Sequence, residues 1–223
     1  LVKSKLKTFV GGIHSREDGK ILTQDKKESP LLFPKTVYLF MSQHIGAPAS
    51  PIVKKGDFVK KGQLVGTAQG FVSANVHASI SGKVADVVPW PHPITGVRSP
   101  AVVIENCGED SWVEGMGVAS DIDLISPDEI RLLIQSAGIV GLGGATFPTH
   151  VKLTPPKDKI IDTVVMNGAE CEPYLTCDYR LMLEKPHEII QGLKLVMKCI
   201  GCKKAHIGIE ANKSDVYTIF KNI

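Results

Sequence analysis

The sequence predicts a two-domain α+β chain, with an all-β domain over 1–115 followed by a partial α/β domain over 116–223. Three observations carry this. The 223 residues suit two domains of about 100 residues each. The first half breaks into short apolar bursts punctuated by Gly56, Gly62, Gly66, Gly70 and Gly82, the pattern of a small barrel or sandwich. The second half alternates helix, loop, strand, helix, strand, helix, which is the α/β signature.

In chain order, TVYLF (36–40) is β-rich and GAPASP (46–51) is a loop. Strand bursts follow in KKGDFVKKGQLVGTAQ (54–69) and FVSANVHASISGKVADVV (71–88). Three prolines exclude a helix from PWPHP (89–93), and PAVVIEN (100–106) is one more strand. No helix is expected before about residue 120. SPDEIRLLIQSAG (126–138) then carries a full set of helix signals. Ser126 caps, Pro127 fits the first turn, Asp128 and Glu129 oppose the dipole, and Gly138 ends it. Its apolar stripe is Ile130, Leu133 and Ile134. IIDTVVMN (160–167) reads as a buried strand. PHEIIQGLKLVMKCIG (186–201) reads as a helix burying Ile189, Ile190, Leu193, Val196, Met197 and Ile200. AHIGIE (205–210) is a strand, and SDVYTIFKNI (214–223) begins a helix. Two strands do not complete a doubly wound sheet, so a domain truncated at its C-terminal end is expected.

Hydrophobic residues make up 43% and charged residues 22% of the chain, which excludes a disordered polypeptide. No apolar run approaches the ~20 residues of a membrane helix, and LVKSKLKTFVGG has no signal-peptide core. Charge is uneven. Through Lys61 there are 12 Lys and Arg against 5 Asp and Glu, and beyond it 14 against 18. A basic first third can face anionic lipid or an acidic partner, or be a solvated lysine surface. Nucleic acid is not expected, because the basic segment lacks interleaved aromatics and a recognition helix. The five cysteines, 107, 171, 177, 199 and 202, read as free thiols of a reducing compartment. Cys199-x-x-Cys202, with Cys171 and Cys177, leaves a four-thiolate zinc site as the minority alternative to buried thiols, and no metal is expected. His14 and His150 adjoin motifs and read as structural.

Three motifs carry chemistry. VKKGDFVKKGQLVGT with VHASISGKV resembles the hammerhead of biotinyl and lipoyl carriers, a barrel-sandwich hybrid. The hairpin that would bear the modified lysine, TAQGFVSANVHAS (67–79), has none, so no amide to lipoate or biotin can form. The second motif, Gly141-Leu-Gly143-Gly144-Ala-Thr-Phe-Pro148, lets backbone approach a phosphate or flat ring. It lacks the Gly-Lys-Ser/Thr of a P-loop and the strand context of a dinucleotide fingerprint. The third, Asn167-Gly-Ala-Glu170-Cys-Glu172-Pro173, falls at a strand's carboxyl end, where α/β sheets place ligands. Its bland reading is an Asx-turn with solvated acids.

GLGGATFPTHVK followed by NGAECEPYLTCDYR resembles the flavin-binding subunit of respiratory complex I, including a lysine, Lys152, eleven residues after the first glycine. With GGIH (11–14) and the lysine-less hammerhead, the whole chain is similar to the RnfC family, soluble subunits of Rnf ion-translocating electron-transport complexes. The resemblance implies a Rossmann-like second domain binding FMN and NADH. It implies Gly141, Gly143, Gly144, Lys152, Asn167 and, less directly, Glu210 as cofactor-binding residues, with Lys152 on a phosphate. Glu170 and Glu172 are implied as the catalytic pair beside isoalloxazine and nicotinamide. It further implies two [4Fe-4S] clusters in a full-length chain, membrane-bound Rnf partner subunits, ferredoxin as an indirect partner, and a peripheral place on the cytoplasmic face of the membrane. Ala169 departs from the complex I pattern, which has Asp there. Two alternatives stay open: a cobalamin-reductase-type flavoprotein of a bacterial microcompartment, and a non-catalytic docking module.

Overall fold

A computed structural model describes residues 18–116 and 121–223. The chain divides into two compact units. One spans 31–160; the other joins the N-terminal segment up to Pro30 to 161–223. The segment 121–160 therefore groups with the strands of the first half, and each unit is described by itself. GGIH (11–14) lies outside the described residues.

In the 31–160 unit, strands β1 (Thr36–Phe40), β3 (Phe58–Val59), β6 (Gly82–Pro91) and β7 (Arg98–Asn106) form an antiparallel sheet in the order β1-β7-β6-β3. A second sheet takes the order β2-β4-β5, from Ser50–Pro51, Leu64–Thr67 and Val76–His77. Register in β6 shifts between Val84 and Asp86, a bulge that bends the long β6–β7 ribbon. The sheets bury one core in which Met41, Val59, Val65, Val84, Val102 and Ile104 are inaccessible to water. Each such side chain contributes about 1.5–3 kcal/mol by leaving solvent. Gly82 is required where β6 meets β7, because a Cβ there would lie 1.9 Å from the Glu105 carbonyl oxygen.

Helix α1 (Pro127–Ser136) belongs to the same unit and forms the expected capping box. Ser126 Oγ accepts from Glu129 N at 3.3 Å, and Glu129 Oε2 accepts from Ser126 N at 2.8 Å. Of its stripe Ile130 is buried, but Leu133 is exposed. Helix α2 is one turn, Thr149–Lys152.

In the other unit, β8 (Thr163–Asn167) and β9 (Lys204–Gly208) pair in parallel, with Asn167 opposite Gly208. Helices α3 (Cys177–Glu184) and α4 (Pro186–Ile200) connect them, and α5 (Ser214–Lys221) follows. The buried strand expected over 160–167 is shorter and half-exposed, with Val165 open to solvent. In α4 the expected apolar residues are only partly buried, and the fully buried member is Cys199. Gly201 closes α4 in the left-handed region, as the sequence predicts. Helix α3 is absent from the sequence-based expectation. Its own N-cap residue, Thr176, makes no side-chain cap.

Candidate functional site

The glycine motif folds as a closed loop on the 31–160 unit. Gly141 N donates to Phe147 O at 2.9 Å and Thr149 N to Ile139 O at 3.0 Å, which seals its base. Ile45 N donates to Thr146 O at 3.3 Å, tying the loop to the β strands. Gly144 has φ +105°, so a side chain there is strained. Around Gly143 and Gly144, a Cβ would meet nothing within 4 Å, so the backbone faces open space. A groove of about 550 Å³ borders the loop, lined among others by Phe40, His44, His92, Gly144 and Thr146. That size suits a small ligand. Both histidines are committed: His44 Nε2 accepts from Ala74 N at 3.2 Å, and His92 Nδ1 accepts from Ile94 N at 3.2 Å. Behind the loop His150 is buried, its Nε2 3.0 Å from Phe71 O, while its Nδ1 has no hydrogen-bond partner. Phe71 belongs to the hairpin where a carrier domain would hold its lysine. Lys152 ends α2 and is exposed.

The acidic motif folds in the other unit, beyond the carboxyl ends of β8 and β9. Asn167 Oδ1 accepts from Ala169 N at 3.0 Å, an Asx-turn at the strand end. Glu170 is buried. Its Oε1 accepts from Asp178 N at 3.0 Å and from the Cys177 thiol at 3.2 Å, so Glu170 caps helix α3 from seven residues upstream. That thiol hydrogen bond, with burial second, pushes the Cys177 pKa up. Glu170 Oε2 is buried without a hydrogen bond. Glu210 lies two residues past β9 rather than in it, and its Oε2 accepts from Glu170 N at 3.4 Å. Glu172 is exposed. The fold thus gathers Glu170 and Glu210, with Asn167 ending the adjoining strand. The glycines and Lys152 form a separate set.

Reading the sequence alone misses what holds the acidic segment. Lys20 is buried, and its ammonium donates to Leu175 O at 2.8 Å and to Glu170 O, with Glu170 Oε2 4.0 Å away. Lysine is rarely buried, and nothing local to Lys20 marks it. Glu170, Cys177 and Asp178 bring ligand atoms within 4.8 Å of one another, but the thiol hydrogen, the Asp178 amide and Lys20 already occupy the carboxylate's surroundings. Among the described residues the cysteines 171, 177, 199 and 202 are not gathered into one cluster. Cys202 Sγ instead lies 2.9 Å from Lys204 O and 3.0 Å from Asp162 O. A signal visible only in the fold is backbone strain. Among the described residues two non-glycines have positive φ, Thr146 at +47° and Tyr174 at +67°, one in each motif.

Comparison with known proteins bears on both halves. Residues 7–109 match the family described as RnfC Barrel sandwich hybrid domain, and 134–223 match the Nuo51 FMN-binding domain. An RnfC-type component of the proton-translocating ferredoxin:NAD(+) oxidoreductase complex of Clostridium ljungdahlii is 50% identical over 208 residues, 93% of this chain and 45% of that protein. This chain belongs to the RnfC family. The corresponding component of the Na(+)-translocating ferredoxin:NAD(+) oxidoreductase complex of Acetobacterium woodii is 51% identical over 214 residues, 93% of this chain and 46% of that protein. Its counterpart in the ion-translocating oxidoreductase complex of Rhodobacter capsulatus is 43% identical over 204 residues, 91% and 39% of the two chains. The RnfC-family chain spans under half the length of these relatives. The first unit's two small sheets are the hammerhead that the sequence suggests. Among the described residues no helix is long and apolar enough to cross a membrane.

Proposed function

We propose that this RnfC-family chain supplies the FMN- and NADH-binding part of an ion-translocating ferredoxin:NAD oxidoreductase complex. The observation that carries the reading is the pairing of an open glycine loop with a buried, partly unsatisfied carboxylate in a family-matched FMN-binding region. The donor set fits the group: bare backbone for a phosphate or ring, and acidic and amide groups for a polar heterocycle. FMN, when bound, supplies an acceptor that takes two electrons from a nicotinamide and returns them singly.

In this reading Gly141, Gly143 and Gly144 admit the cofactor to the backbone, and Lys152 neutralises its phosphate. Asn167 hydrogen-bonds the flavin. Glu170 and Glu172 are the catalytic pair, Glu172 exposed to meet the nicotinamide and Glu170 buried behind it. Glu210 supports Glu170 through its backbone N–H. The second domain is Rossmann-like and the domain division is 1–115 and 116–223, a border within the interval 110–133 that separates the two family matches. Electrons would pass to two [4Fe-4S] clusters elsewhere in a full-length chain. The protein would sit on the cytoplasmic face of the membrane against other Rnf subunits, with ferredoxin an indirect partner.

The test is direct. Full-length protein titrated with FMN under anoxia should gain a flavin band near ~450 nm that NADH bleaches. A full-length chain that retains no FMN contradicts the reading.

A further inference from the structure

The segment that carries the two glutamates does not fold on its own contacts. Residues 18–24 run alongside 170–176 and hydrogen-bond to it repeatedly. Asp18 O accepts from Tyr174 N at 2.7 Å, and Thr23 Oγ1 donates to Tyr174 O at 3.1 Å. Thr176 Oγ1 donates to Thr23 Oγ1 at 2.9 Å. Gly19, at φ +70°, must be glycine because a Cβ there would fall 2.2 Å from the Tyr174 ring. These contacts hold Tyr174 in its positive-φ conformation, which an isolated chain would abandon. Lys20 sits at the centre. Its ammonium binds the carbonyls of Glu170 and Leu175, so one cation ties together the two ends of the turn that contains Glu172. The same ammonium faces the unsatisfied Oε2 of Glu170.

We propose that Lys20 is a positioning residue, a clamp that sets the conformation of 170–175 and so fixes where Glu170 and Glu172 are presented. The inference rests on the reading of those glutamates as part of a flavin site, but its geometry does not. A long aliphatic stem with a compact three-donor head suits the task, since two donors can take the carbonyls while the third faces the carboxylate. The clamp also accounts for the thiol. Glu170 can hold the Cys177 proton only while its carboxyl stays in place.

Two readouts on full-length protein test this: FMN affinity by fluorescence titration, and iodoacetamide alkylation of Cys177 relative to Cys171, mapped by mass spectrometry. Lys20→Met should weaken FMN binding about 10-fold or more, as loss of a supporting shell does, and raise the Cys177/Cys171 ratio. Lys20→Arg should return part of both. Should Lys20→Met fail to fold, Lys20→Met/Glu170→Gln removes both buried charges, and in it the FMN defect should persist. Unchanged FMN affinity and unchanged Cys177 protection in folded Lys20→Met, or unchanged FMN affinity in the folded double variant, overturn the clamp. Wild-type protein that takes no FMN instead overturns the functional reading, and Cys177 protection alone then decides the clamp.

Discussion

Glu170 has two duties at once. Its carboxylate caps α3 and holds the Cys177 thiol, and one oxygen is left buried beside Lys20. Removing one partner of a buried pair leaves the other charge uncompensated, so Lys20→Met is expected to cost about 3 kcal/mol or more of stability, read as a lower urea midpoint. A second polar pair on the same unit gives a cleaner titration. Tyr179 Oη donates to Asp215 Oδ2 at 2.5 Å, and Lys213 Nζ lies 4.0 Å from the ring centre. The hydrogen bond to Asp215, with burial second, pushes the Tyr179 pKa up to about 12. Burial opposes ionisation of Asp215, yet the hydrogen bonds from Tyr179 and Val216 N outweigh it and lower its pKa. A phenol whose folded pKa is raised stabilises the native state fully below the unfolded value near ~10, and loses that contribution as pH climbs through about 12. The stability gap between wild type and Tyr179→Phe in urea should therefore narrow from about pH 10 to about pH 12. A Tyr ultraviolet titration should lose its step near about 12 in the variant.

Elements are legible in proportion to how local their signals are. Helix α1 can be read in full because Ser126, Pro127 and Glu129 are its own residues, and the capping box forms from them. Ser126→Ala should cost about 1 kcal/mol, measured as a shift in urea midpoint with unchanged slope. Helix α4 is equally readable from Pro186 to Gly201. Helix α3 is not, because its cap is Glu170, on the far side of a turn, and Thr176 caps nothing. The hammerhead's glycines are visible as punctuation, but only the β6–β7 register shows why Gly82 admits no side chain. The apolar stretch 160–167 looks buried by composition, whereas β8 pairs only with β9 among the described strands and leaves Val165 exposed. No pattern finds Lys20, since its partners lie about 150 residues away.

At the scale of the molecule, the paired glycine loop and acidic segment point to the family without any fold in view, and both family matches agree. What the motifs do not convey is that each is built on strained backbone, Thr146 in one and Tyr174 in the other. In each case another part of the same unit supports it: Ile45 at Thr146, and residues 18–24 at Tyr174. A lysine-less hammerhead is consistent with this, its hairpin residue Phe71 contacting His150 behind the glycine loop instead of carrying an arm. Admission of FMN by the glycine loop is the central claim. Gly143 is the position to probe, because a Cβ there meets no protein atom within 4 Å and its φ is not in the left-handed region. FMN titration of full-length Gly143→Val against wild type, followed by flavin fluorescence, is the most direct measurement. The expected variant is as stable as wild type, with FMN affinity lowered at least about 10-fold, because the new side chain occupies space meant for the ligand. Equal affinity in the two proteins would contradict the claim.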